Sequence, residues 1–194
     1  MAIEFELKFR ATPEQLTAIG KTCSGQTQSL TMETTYYDTP DGDLSARKYT
    51  LRRRMENDTS VCTLKIPATG GGRNEFELEC DTIKAALPEL CKLSGLPELP
   101  ALLAKGIAPI CGAQFHRTAI LLERPDCTVE LALDEGILTG GGKQIPLCEV
   151  EVELKSGSRE GAVAYAAMLQ SAFCLVPEKR SKFRRALALA KGEL

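Results

Sequence analysis

The 194-residue chain has no tryptophan, and four tyrosines and six phenylalanines hold its aromatic share at 5%. Stacking surface for a large planar ring is therefore scarce. His116 is its one histidine and its eight cysteines include no CxxC pair, so the spacing of a zinc site is missing. Several cysteines fall at apolar positions of periodic segments, Cys62, Cys80 and Cys91 among them, and the set reads as reduced, buried thiols. No charge of one sign dominates: 24 basic against 26 acidic residues leave a net −2, and no global basic field argues for nucleic acid. No apolar run approaches the length that spans a bilayer, and Met1-Ala2-Ile3-Glu4 has neither a basic start nor an apolar signal core. The expectation is a cytoplasmic protein. Without internal repeats, low-complexity stretches or a linker, residues 1–194 read as one domain.

What the chain does have is alternation. Glu4, Glu6 and Lys8 share one face of a strand over 2–10, with Phe5, Leu7 and Phe9 on the other. Further strands are expected near 27–38, 48–56, 60–66, 73–80, 109–123, 127–134 and 147–155. Thr12-Pro13-Glu14-Gln15 carries an N-cap, a proline at N1 and a capping box, and opens a helix to about Lys21. Residues 82–105 read as helix and loop broken by Pro88, Pro97 and Pro100. Gly70-Gly71-Gly72 reads as a plain link and Gly140-Gly141-Gly142 as a turn. Helices over 159–174 and 182–191, the second capped by Ser181, complete the chain.

The polar faces of these strands are dense in charge. Arginines gather at Arg52, Arg54, Arg73 and Arg117, and carboxylates at Glu75 and Glu77 and at Glu149, Glu151 and Glu153. Like charges at i and i+2 repel unless a counter-ion lies between them. Two arrangements satisfy the pattern. One is an antiparallel sheet with one wet face. The other is a closed barrel with a polar interior, its apolar faces turned outward under the helices, the inverse of the usual small barrel. Such an interior would hold hard cations on carboxylates and phosphate oxygens on Arg and Lys.

Glu4-Phe5-Glu6-Leu7-Lys8 resembles the ExExK signature of the CYTH domain, the triphosphate tunnel metalloenzymes. The resemblance continues in order through Tyr36-Tyr37-Asp38-Thr39-Pro40, Leu51-Arg52-Arg53-Arg54, Leu64-Lys65, Arg73-x-Glu75-x-Glu77, Arg117, Glu130-x-x-x-Asp134, Glu149-x-Glu151-x-Glu153 and Ser181-Lys182. It implies an α+β fold, a closed eight-stranded antiparallel β-barrel, or tunnel, with flanking helices. It implies hydrolysis or cyclisation of triphosphates with Mg²⁺ or Mn²⁺, and the chain is most similar to the N-terminal domain of bacterial inorganic triphosphatases. On this resemblance Glu4 and Glu6 bind metal with Glu151 and Glu153, with Glu149 and Asp134 as weaker candidates. Lys8, Arg52, Arg54, Lys65, Arg73, Arg117 and Lys182 grip phosphate oxygens. Lys8 is paired with Tyr36, and Glu75 or Glu77 is an alternative for orienting the water; the sequence does not choose. Arg53, on the wrong parity, is expected at the surface, Glu79 and Lys155 at the rim, and His116 in a structural role.

Rival readings are a class IV adenylyl cyclase, a thiamine triphosphatase, an RNA triphosphatase and a non-catalytic polyphosphate- or nucleotide-binding module. The His-Phe pair those cyclases resemble one another in has no room before Glu4. The scarcity of aromatics counts against thiamine triphosphate, and the net charge against RNA. The expected partner is a small triphosphate, with no membrane and no nucleic acid; a homodimer is left open.

Overall fold

Sustained alternation becomes strand throughout the computed structural model, which describes residues 5–69 and 72–194. Residues 2–4 of the expected first strand, Glu4 among them, and Gly70 and Gly71 of the glycine link lie outside the described residues. Strand β1 (Glu6–Arg10) is followed by α1 (Pro13–Thr22), β2 (Gln26–Asp38) and the short α2 (Asp43–Ala46). Next come β3 (Thr50–Glu56), β4 (Thr59–Pro67), β5 (Arg73–Glu79), α3 (Ile83–Ser94) and α4 (Leu99–Leu103). The long strands β6 (Ala108–Glu123), β7 (Cys127–Gly140) and β8 (Lys143–Gly157) follow, then α5 (Arg159–Phe173), β9 (Val176–Pro177) and α6 (Lys182–Ala190).

The expected closed barrel of eight strands is not formed. The described strands make one antiparallel sheet of nine, in the order β5-β4-β3-β2-β6-β7-β8-β1-β9, and β5 and β9 are its two edges. The added strand is β9, whose two residues pair with Phe9 and Arg10 where β1 would otherwise be an edge. Its sequence is too short for any period to show. The sheet is curved, however, so that β1 and β5, seven places apart in the order, line the same cavity.

The convex face carries the apolar half of the alternation. Phe9, Ile120, Leu131, Val150 and Val152 pack under α1 and α5, while Leu51, Leu64, Ile66 and Phe76 pack under α3 and α4. Helix α1 begins with the capping box: Gln15 N–H donates to Thr12 Oγ1 and Thr12 N–H to Gln15 Oε1. Pro88 does not break α3. It stands inside the helix at an exposed position, and the carbonyl it leaves without a helical donor belongs to Lys84, itself an exposed residue. All eight cysteines are free; Cys62, Cys111 and Cys127 are buried and Cys174 is exposed. No helix among the described residues is long and apolar enough to cross a membrane.

The concave face is not wholly polar. Met32, Tyr36, Ala113, Phe115, Leu138 and Leu147 form an apolar patch there, and α6 covers it with Phe183 and Ala186. The last helix thus lies inside the curve of the sheet. Gly140 permits this, because a Cβ at that position would stand 2.5 Å from the carbonyl oxygen of Ala186 and 2.8 Å from the nitrogen of Ala190. Gly141 and Gly142, both at positive φ, then make the tight β7–β8 turn.

Candidate active site

Beside α6 the concave face encloses a cavity of about 670 Å³, lined by every strand from β1 to β8 and by the start of α6. Ten cationic and seven acidic side chains line it, a positive excess inside a chain of net −2. The register explains their convergence. Thr50, Arg52, Arg54 and Glu56 of β3 alternate onto the cavity face, while Leu51 goes to the convex core and Arg53 bonds to Ser60 Oγ.

Two walls differ in sign. On the β3–β5 wall, Arg52 donates to Glu75 at 3.3 Å and lies 3.8 Å from Glu77, and its Nε is buried with no hydrogen-bond partner. Arg54 is 7% exposed; its Nε donates to Thr34 Oγ1, and Glu56 stands 3.8 Å away. Burial, then the neighbouring Arg52 and Arg117, push the Arg54 guanidinium down to about 10. Lys65 pairs with Glu75 at 3.0 Å, and Arg73 donates to Thr50 Oγ1 and to the Lys48 carbonyl. Glu77 accepts from Thr63. Among the described residues four cations here, Arg52, Arg54, Lys65 and Arg73, meet three carboxylates, Glu56, Glu75 and Glu77, a balance that suits an anion.

The opposite wall is acidic. Glu6 of β1 faces Glu153 of β8, which faces Glu130 of β7, so three carboxylates stand in a row across neighbouring strands. Lys8 is bonded to Glu6, and Lys155 lies 3.1 Å from Glu153 and 3.6 Å from Glu130. Burial works against the charge of Lys8, yet Glu6, Glu151 and Glu149 outweigh it and hold its pKa above the usual lysine value. Lys8 therefore stays protonated at neutral pH. It is hydrogen-bonded to Glu6 and not to Tyr36, whose ring packs against Phe183 at 5.0 Å.

At the foot of α6 lies a buried ionic cluster. Lys182 Nζ reaches Asp134 at 2.7 Å, Glu151 at 2.8 Å and Glu149. Arg117 clasps Asp134 with two 2.8 Å bonds and donates to Glu151 at 2.6 Å, while Arg185 bonds to Glu149. Three carboxylates thus meet three cations, and Asp134 and Glu149 are completely buried. Burial raises Glu149 to about 7 although Lys182 and Arg185 oppose it. Burial also disfavours the charge of Glu151, but Lys182, Arg117 and Lys8 hold it well below the usual carboxylate range. Arg54, Arg117 and Lys182 all approach the Phe115 ring, at 5.8, 5.8 and 5.3 Å.

Of the residues expected from the sequence, Glu6, Lys8, Tyr36, Arg52, Arg54, Lys65, Arg73, Glu75, Glu77, Arg117, Glu151, Glu153 and Lys182 line the cavity. Glu4 is outside the described residues. Asp134 and Glu149 do not line it; they sit below, in the ionic cluster. Asp134, Glu149 and Glu151 bring carboxylate oxygens within 4.8 Å of one another, a spacing open to a cation, but Lys182, Arg117 and Arg185 already answer them. Glu130 in the acidic row and Arg185 in the cluster received no role from the sequence. Glu79 lines a neighbouring depression, Lys155 the cavity itself, and His116 shares a 3.3 Å hydrogen bond with Thr31 on an exposed stretch of sheet.

Residues 2–186 match the sequence profile of the CYTH domain. The chain is 32% identical over 164 residues to the inorganic triphosphatase of Haemophilus influenzae, covering 81% of this chain and 47% of that protein. The chain thus spans about half the length of this curated relative. Among solved structures, a putative adenylyl cyclase from Hippeastrum, reported to have a dominant triphosphatase activity, superposes with a TM-score of 0.66 at 17% identity, covering 100% of this chain and 96% of that one. A putative adenylate cyclase from Bacillus halodurans gives 0.63 at 20% identity, covering 94% and 96%. At these identities the likeness is one of fold.

Proposed function

The chain belongs to the CYTH-domain family, and on that premise we propose that it hydrolyses triphosphates, inorganic tripolyphosphate foremost, in a reaction dependent on a divalent cation. The observation that carries the reading is the division of one cavity into an under-answered arginine wall and a carboxylate row. The name of the Haemophilus relative supports the choice of inorganic triphosphate.

The acidic row fits the family's metal. Glu6, Glu153 and Glu130, with Glu151 beside them, offer the hard oxygen donors that Mg²⁺ and Mn²⁺ take. When bound, such a cation neutralises charge on phosphate oxygens. Arg52 and Arg54 bind the chain of phosphates by paired donors, and Lys65, Arg73 and Arg117 extend that grip. Lys182, fixed by three carboxylates, presents its charge from the first turn of α6. Lys8, protonated, orients the attacking water as a donor rather than as a base. Glu75 and Glu77, tied to Arg52, Lys65 and Thr63, act by holding the arginine wall in place. Catalysis then rests on positioning and electrostatics.

The test is phosphate release from tripolyphosphate, ATP and thiamine triphosphate with Mg²⁺, Mn²⁺ or EDTA. Metal-dependent release, fastest from tripolyphosphate, is expected. A cyclic product and pyrophosphate from ATP would move the protein to the cyclases, and binding without turnover would make it a binding module. A second result separates binding from folding. Arg54→Met removes a buried cation with too few counter-charges, so the ligand-free protein should melt no lower than wild type. Its affinity for tripolyphosphate should fall by about tenfold or more. A large loss of ligand-free stability with affinity unchanged would show that Arg54 is structural.

A further inference from the structure

We propose that Lys179 and Arg184 form an outer cationic pair that favours polyphosphate chains longer than three units; the inference rests on the triphosphatase reading above. Both residues line the cavity, and both are exposed, which puts them at its mouth. The eight other cations of the lining have partners: Lys8 is paired with Glu6, Arg52 and Lys65 with Glu75, Arg117 and Lys182 in the buried cluster and Lys155 with Glu153, while Arg54 and Arg73 are hydrogen-bonded to Thr34 and Thr50. The side chains of Lys179 and Arg184 have no hydrogen bond or ion pair with any described residue. The backbone that carries them is nonetheless fixed at both ends. Glu178 N–H donates to the Lys8 carbonyl, and Ser181 Oγ caps α6 by accepting from Arg184 N–H. Arg180, between them, is tied to Glu178 and points its charge elsewhere.

Two unanswered cations on a clamped segment suit one more phosphate unit. They do not suit a nucleoside. The nearby aromatic rings, Tyr36 and Phe183, are 3% and 7% exposed and packed on each other, so they offer no free face to a base. On the triphosphatase reading the inner cations take three phosphates, and the outer pair then gives the cavity an affinity that grows when the chain is extended by one.

The experiment compares tripolyphosphate with tetrapolyphosphate, under Mg²⁺, for wild type and Lys179→Ala/Arg184→Ala. In the double variant, kcat/KM for tetrapolyphosphate should fall about tenfold and that for tripolyphosphate less than about threefold. Lys179→Arg/Arg184→Lys should keep the wild-type ratio, and the wild-type advantage should shrink as salt rises toward about 1 M. Equal losses on both substrates, or no loss on either, would overturn the inference. Should wild type hydrolyse neither, the triphosphatase reading fails, and calorimetric binding of the same two phosphates to the same proteins still decides the pair. There, weakened tetrapolyphosphate binding alone supports it, and an unchanged ratio refutes it.

Discussion

Glu6→Gln is expected to lower metal-dependent phosphate release by roughly 10²–10³-fold while leaving the protein as stable as before, or slightly more so. Glutamine keeps the shape of the side chain and removes its charge. That charge stands directly across from Glu153, which is itself across from Glu130. Like charges facing one another on a sheet destabilise it. Lys8 and Lys155 answer part of that repulsion, so removing one of the three charges costs the ligand-free protein little. Raising Mg²⁺ should restore part of the lost rate, because the defect is in affinity for the cation. Glu6 is 28% exposed at its side chain, and its bond to Lys8 is a modest loss. Full activity in the variant would remove Glu6 from the metal site. Lost activity accompanied by a collapse of thermal stability would make it a structural residue.

Lys182→Met should have the largest effect on stability, a loss of about 3–5 kcal/mol. It leaves Asp134, Glu149 and Glu151 with Arg117 and Arg185 as their remaining ion-pair partners among the described residues, in a buried setting. For a chain of this length the melting temperature should fall by about 10 °C. Adding Glu149→Gln should recover part of the loss, since it restores equal numbers of opposite charges; two losses that merely add would show that the pair is not coupled. The pH dependence has a definite sign. Glu149 is raised from the ordinary 4.5 to about 7, so the folded protein binds its proton more tightly than the unfolded chain does. Its contribution to stability is present at low pH and is lost as pH rises from about 4.5 through about 7. Without Lys182 the charged form is less favoured still. The deficit of Lys182→Met should therefore be smaller at pH 5 than at pH 8, read by thermal melting at both. A deficit that shrank with rising pH would contradict the assignment.

Alternation located nearly every strand and told which side chains share a face, because a period of two is a property of the backbone. It put Arg52 and Arg54 together, and Arg53 apart, without any tertiary information. What it lacks is depth. Glu149, Glu151 and Glu153 share a face of β8, but Glu149 is sealed under α6 whereas Glu153 borders the cavity, and only the docking of the helix separates them. The role of Glu130 was within reach. Counting back from a turn at Gly141-Gly142 sets Glu130 opposite Glu153 and Asp134 opposite Glu149, as the ladder has them. The seat of α6 was not within reach, since an amphipathic helix reads the same whether it covers a convex face or a concave one. Nor was Pro88 within α3, where the exposed setting of Lys84 and Pro88 decides the matter rather than the proline itself.

The unpaired edges of the sheet bear on how a ligand gets in and out. A ring of strands has a circumference set by its strand number, and a polymer can enter it only by an end. Here, among the described residues, no ladder joins β5 to β9, so no strand pairing ties the two rims together. The gap between the walls is therefore not set by strand pairing, as it would be in a ring.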